Sequence, residues 1–333
     1  MRPSTLMGQT LPAGARRTGG QLGMWDTAAM RDAAGTGTRA LVLGGGGVAG
    51  IAWEIGLLAR LAALGTELAA DADLVVGTSA GACVGALVAG ESGYDALIAA
   101  QRLPAGQTRE RVPEFDLNLM MEIFGLVTTV QEDPAAARRQ IGALATAAAT
   151  VTEAERREII ASRLPSKEWP ARPLVVTTVD ARTGERVIFD RSSPLSLVDA
   201  VAASCAVPGI WPPVIIGGRQ YIDGGIYSVT NTDLAEGHHR VIVLCPVAMG
   251  PGAPVAARGK AAVAVPGDGS LTIVADAESL AAFGPNLLDP ASRGAALEAG
   301  MRQADEVAAV VRSYWTEAAT PTGDQPGRPT SRS

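Results

Sequence analysis

Near its start the chain twice runs a short, wholly apolar segment into a glycine-rich turn and then into a helical pattern. Leu41-Val42-Leu43 leads into Gly44-Gly45-Gly46-Gly47-Val48-Ala49-Gly50, and Leu74-Val75-Val76 leads into Gly77-Thr78-Ser79-Ala80-Gly81. Continuous Val/Ile/Leu runs, unlike apolar–polar alternation, mark strands covered on both faces. Strands of that kind alternating with helices predict an α/β fold, a largely parallel sheet between helical layers.

The same reading extends along the chain. Strands are expected at Arg39 to Leu43, Asp73 to Val76, Leu174 to Val179, Arg186 to Phe189, Arg240 to Leu244 and Leu271 to Val274. Helices are expected at Ile51 to Leu64, stopped by Gly65, and at Ala80 to Ala89, Pro134 to Ala147, Glu153 to Ser162, Leu195 to Ser204 and Ala291 to Tyr314. Thr152 and Glu155 have the spacing of a capping box. Residues 104–150 hold no strand pattern and read as a helical insertion. There Leu117, Met120, Met121 and Phe124 recur at helical spacing, the stripe either of a helix packed on the core or of an apolar lid over an acyl pocket. Residues 1–38 read as a loose leader without the apolar core of a secretory signal, 39–315 as the folded domain, and 316–333 as a disordered tail with little to bury.

Composition narrows the functions. With 34 acidic against 28 basic residues, a net charge of -6, no overall positive field draws the chain to nucleic acid. Cys83, Cys205 and Cys245 stand far apart, and the two histidines, His238 and His239, are neighbours, so neither a disulfide framework nor a metal site is expected. No apolar run reaches the roughly 18 residues of a membrane span. The expectation is a soluble or peripheral protein of the cytoplasm.

Three motifs carry chemistry. Gly44 to Gly50 offers backbone N–H groups at the start of a helix, which suits either a phosphate or the oxyanion of acyl transfer. Taken alone it also fits a nicotinamide-dependent oxidoreductase, since Gly45, Gly47 and Gly50 satisfy G-x-G-x-x-G; that reading requires an acid closing the second strand, where the chain has Gly77-Thr78-Ser79. Gly77 to Gly81 is a G-x-S-x-G turn between strand and helix, which makes Ser79 a candidate nucleophile. A Ser…Asp…His arrangement fits poorly, because one clear strand precedes the Ser79 strand and the histidines lie in a polar stretch that reads as surface. The third motif, Asp223-Gly224-Gly225, closes a strand-like segment; on its own Asp-Gly marks a turn.

In this order the three motifs resemble the patatin-like phospholipase family, from about Thr38 to at least Pro246 and more weakly to Tyr314. AVAASCAVPGIWPP, from Ala200 to Pro213, is similar to the family's small-residue helix and Pro turn. The resemblance implies a three-layer α/β/α fold and a serine lipid acyl hydrolase, active in lipid breakdown without cofactor or metal. It implies a Ser79–Asp223 dyad, an oxyanion loop of Gly45, Gly46 and Gly47, and supporting motif glycines Gly50, Gly77, Gly81, Gly224 and Gly225. Phospholipids, lysophospholipids or neutral lipids would be the substrates, met by transient contact with a membrane surface. Where the family usually carries Arg or Lys, before the last glycine of the loop, this chain has Ala49, which points towards neutral esters. A non-catalytic lipid-binding protein with a silent dyad would use the same pocket.

Overall fold

The computed structural model describes residues 37–90, 92–128, 132–253, 263–264 and 269–316. The expected leader and tail fall almost wholly outside them. Strands are β1 (Arg39–Leu43), β2 (Leu74–Thr78), β3 (Leu174–Asp180), β4 (Arg186–Phe189), β5 (Val214–Ile216), β6 (Arg219–Asp223), β7 (Arg240–Cys245), β8 (Val263–Ala264) and β9 (Leu271–Val274). Helices are α1 (Gly47–Ala63), α2 (Ala80–Val88), α3 (Tyr94–Arg102), α4 (Leu117–Thr128), α5 (Pro134–Ala147), α6 (Glu153–Arg163), α7 (Leu197–Ser204), α8 (Ala277–Phe283) and α9 (Arg293–Thr316).

The strands form one sheet in the order β5-β6-β3-β2-β1-β7-β9-β8, with β4 also paired to β3. Its centre, β3-β2-β1-β7-β9, is parallel, and antiparallel strands extend both edges. The apolar runs explain this arrangement: β1, β2 and β3 are buried along almost their whole length, as strands in a covered parallel sheet must be. Leu41, Leu43, Val75 and Val176 point into a core shared with α1, α2, α7 and α9. Alternate residues Ala40, Val42, Val76 and Val175 face the opposite side with Leu234 and Ala235, where α4 and α5 cover Val179 and Ile222. The result is a mixed α/β fold of three layers. Among the described residues, no helix is long and apolar enough to cross a membrane.

Local chemistry sets several boundaries. α6 starts on the Thr152–Glu155 capping box, and α5 starts on Asp133, which accepts from the Ala136 N–H at 3.0 Å, followed by Pro134. The β5–β6 hairpin turns on Gly217 and Gly218, with φ of 58° and 76°, values that favour glycine. α1 and α9 touch closely because Gly56 lies against the Leu297 carbonyl and Gly300 against the Trp53 carbonyl.

The helical insertion departs from expectation in its orientation. Ile123 is the buried residue of α4 and packs with Ile141 and Ala145 of α5, while Leu117, Met121 and Phe124 are exposed. Of the expected stripe only Met120 turns inward, where it meets Gly209 beside Leu119 and Ile123. α4 is apolar nearly all round, so helical periodicity marks no single face; the contacts with Gly209 and α5 select it. None of Leu117, Met120, Met121 and Phe124 lines the cavities formed by the described residues. A cavity of about 570 Å³ lies further along, among Leu126, Val127, Ile141, Ile226 and Met249.

Candidate active site

β1 and β2 are parallel neighbours, with Leu43 opposite Gly77, so the two glycine turns leave the sheet side by side at the carboxyl ends of their strands, where open α/β sheets place ligands. Thr78 pairs with Thr177 and Asp223 pairs with Thr178. Ser79 and Asp223 consequently stand level on either side of β3. Two strand spacings separate their backbones, roughly 10 Å, a gap that the two short side chains and a hydrogen bond nearly span.

Ser79 takes φ 53° and ψ −113° at the N-terminus of α2. Such a conformation in a non-glycine residue costs of order 1–3 kcal/mol and persists only when its surroundings enforce it. Here the Ser79 N–H donates to Ser204 Oγ at 2.9 Å, its carbonyl accepts from Cys205 Sγ at 3.2 Å, and the Gly81 N–H donates to the Gly44 carbonyl at 2.9 Å. The flanking glycines are steric necessities. A Cβ on Gly77 would sit 2.6 Å from Ala82 Cα, and one on Gly81 would collide with the Leu43 carbonyl.

The first glycine loop lies against this turn: a Cβ on Gly45 would come 3.6 Å from Ser79 Cβ. Its amides divide into two groups. Gly44 donates to the Leu244 carbonyl and Gly45 to the Val229 carbonyl, each at 2.9 Å, while Ala49 donates to Leu287 at 3.1 Å. The sequence pattern places Gly45 among the oxyanion donors, but its N–H is taken by the Val229 carbonyl. The N–H groups of Gly46, Gly47 and Val48 have no protein acceptor among the described residues and open α1, whose dipole adds positive potential there. Gly47 has φ +63°, with the Leu287 carbonyl 2.6 Å from where a Cβ would be, and Gly50 packs on Pro246.

Asp223 ends β6, is 5% exposed, and accepts the Gly225 N–H on Oδ1 at 2.8 Å. Burial pushes its pKa up to about 6, against the opposing pull of the Ser79 hydroxyl, the Gly225 amide and the nearby Arg156 guanidinium. Oδ2 is buried without a settled partner and is open to a proton. Gly224 is pressed on the Thr177 carbonyl. The structure thus brings together Ser79, Asp223 and the three open amides.

Several supporting residues escape sequence reasoning. Asn231, with φ 54°, donates through Nδ2 to Thr78 Oγ1 at 3.0 Å and to the Ser228 carbonyl at 2.7 Å, tying the end of β2 to the segment whose Val229 carbonyl holds Gly45. Glu54 of α1 is fully buried and near Gly44, and burial raises its pKa well above the usual range. Arg156 and Trp211 line the small cavity at Ser79 with Gly47, Val48, Cys205 and Leu288. The histidines expected at the surface are half-buried; His238 Nδ1 lies 3.0 Å from the Ala235 carbonyl, and burial lowers its pKa. Burial pushes the Cys205 thiol up to about 12.

A sequence model of a family described as patatin-like phospholipase matches residues 41–236. Among solved structures, VipD from Legionella pneumophila is similar at 14% identity and a TM-score of 0.40, covering 83% of this chain and 68% of its own. The type III effector protein ExoU is similar at 16% identity and a TM-score of 0.39, covering 85% of this chain and 54% of its own. Neither likeness informs the chemistry of the site.

Proposed function

Because the chain belongs to the patatin-like phospholipase family, we propose that it hydrolyses acyl ester bonds of lipids, with Ser79 as the nucleophile and Asp223 as its base. Ser79 Oγ attacks the ester carbonyl while Asp223 takes the hydroxyl proton. The amides of Gly46, Gly47 and Val48 receive the tetrahedral oxyanion, where each donor is worth about 2.7–4 kcal/mol. Collapse of the intermediate expels the alcohol, which carries away the proton from Asp223 and leaves an acyl-serine. Water then attacks the acyl group with Asp223 again as base, and the fatty acid leaves.

The observation that carries the reading is the Asp223 carboxyl. An ordinary aspartate, near 3.9, is a weak base; here burial lifts it to about 6 against the pull of the neighbouring Ser79 hydroxyl, which matches the base to operation near neutral pH. The site's ester substrates are phospholipids, lysophospholipids or neutral lipids, approached by transient contact of the apolar outer face of α4 with a lipid surface. A fluorophosphonate probe tests the assignment: labelling should vanish in Ser79→Ala and weaken in Asp223→Asn. Labelling that survives Ser79→Ala overturns it.

A further inference from the structure

The cavity at Ser79 is lined by side-chain donors that have no acceptor among the described residues. Arg156 of α6 is 3% exposed, and its Nε and Nη1 are buried without an acceptor. Its guanidinium carbon lies 3.9 Å from the Trp211 ring centroid, a stack that steadies the plane and leaves its edge free for in-plane bonds. Trp211 Nε1 is buried without an acceptor as well. Both side chains share the cavity with Ser79 and with Gly47 and Val48, whose amides are open.

Neighbouring charge does not neutralise Arg156. Glu110, whose charge reaches Arg156, is held by Arg163 through Nε and Nη2 at 2.7 Å each. Asp223 feels Arg156, yet no ion pair joins them among the described residues. Burial, with Arg163 nearby, lowers the Arg156 pKa to about 9, so it remains a cation at neutral pH. A buried cation without an anion is costly, and the unpartnered donors of Arg156 and Trp211 complement the oxygens of an anion.

We propose that Arg156, steadied on Trp211, binds a phosphate on the alcohol half of the ester and so makes the Ser79 site selective for anionic acyl esters over neutral ones. This rests on the hydrolase reading above, and it reverses the expectation drawn from Ala49: the glycine loop lacks a cation, and α6 supplies one from the other wall. The cavity itself holds only about 20 Å³, room for about one water. It adjoins a space of about 240 Å³ that shares Val48, Ile51 and Arg163 with it, into which the rest of the ligand extends.

The test compares monooleoyl glycerol phosphate with monooleoyl glycerol, both presented as monomers, in wild type, Arg156→Gln and Arg156→Lys. Wild type should prefer the phosphate ester, and Arg156→Gln should cut the ratio of the two kcat/KM values by about tenfold to a hundredfold, the worth of a charge-assisted bond. Arg156→Lys, which keeps the charge without the stacked fork, should fall between. A ratio unchanged by Arg156→Gln, with both esters slowed alike, overturns the proposal, because Arg156 would then serve the dyad or the fold. A wild type without preference overturns it too. Inorganic phosphate binding by calorimetry decides even if no ester turns over, an outcome that would indict the hydrolase reading separately. Binding that weakens at least about tenfold in Arg156→Gln upholds the subsite; absent or equal binding refutes it. Should Arg156→Gln fail to fold on thermal melting, Arg156→Lys carries both measurements.

Discussion

At the Ser79 turn the backbone amides on either side are bonded to named carbonyls and hydroxyls, and Gly77 and Gly81 are pressed against neighbouring backbone. Along α4, by contrast, Ile123 is the buried residue in a helix of 12, and Leu117, Met121 and Phe124 face outward. The turn is over-determined, which is what lets a strained serine persist. α4 packs Ile123, with Leu119, Leu126 and Val127, on α5, Val179 and Ile222 and still offers an apolar outer ridge at Leu117, Met121 and Phe124. On the proposed function, the chemistry falls to the tightly packed turn and the meeting with lipid to the outward face of α4.

Substitutions test that contrast directly. The largest effect is expected from Ser79→Ala, which should lower ester turnover by roughly 10⁴–10⁶-fold, as removal of a serine nucleophile does, with the thermal midpoint changed little. Next comes Gly47→Ala. With φ +63° and the Leu287 carbonyl 2.6 Å from the new Cβ, it should shift the amides beside the oxyanion and reduce kcat by about 10²–10³-fold, readable in steady-state kinetics on a short-chain ester.

The Asp223 carboxyl gives two measurements. As a base it must be ionised, so kcat/KM should rise with pH through about 6 and level off above. For stability the sign runs the other way. A folded pKa of about 6, above the unfolded value near 3.9, means that the folded chain holds this proton more tightly. The contribution is therefore present at low pH and lost as pH rises through about 6. Asp223→Asn escapes that loss and should be more stable than wild type by about 1–3 kcal/mol near pH 8, with the gap closing near pH 4, as followed by denaturant unfolding.

The smallest effects belong to the outer face of α4. Leu117→Asp with Phe124→Asp should leave stability within about 0.5 kcal/mol and leave monomeric short-chain esters unaffected, while slowing hydrolysis of vesicle lipid several-fold. Ile123→Ala should instead cost about 2–4 kcal/mol, as deletion of a buried aliphatic does. Equal slowing on monomers and vesicles by the outer pair would erase the division between the two regions.

Local pattern foretold much of this molecule and stopped where partners come from far along the chain. The strand runs and the two turns were legible because burial on both faces and a sharp strand-to-helix bend demand particular residues at adjacent positions. β6 reads as a strand-like segment ending at Asp223, but β5 was harder: a strand of three residues at a sheet edge looks like loop until its register beside β6 is seen. The Gly45 amide looked free until Val229, distant in sequence, took it. Arg156 left a faint trace, since Arg156, Ile159, Ile160 and Arg163 share one helical stripe and two cations on an otherwise apolar face are unusual.

What residue order alone settled, then, was a covered parallel sheet with two glycine turns at its carboxyl edge, since periodicity, small-residue demands and capping act over a few neighbouring positions. Which amides stay open, which face of α4 turns inward, how far burial lifts Asp223, and that a cation from α6 stands opposite the glycine loop were set only in three dimensions. Desolvation and hydrogen-bond competition depend on what packs nearby, and packing joins residues the chain keeps far apart.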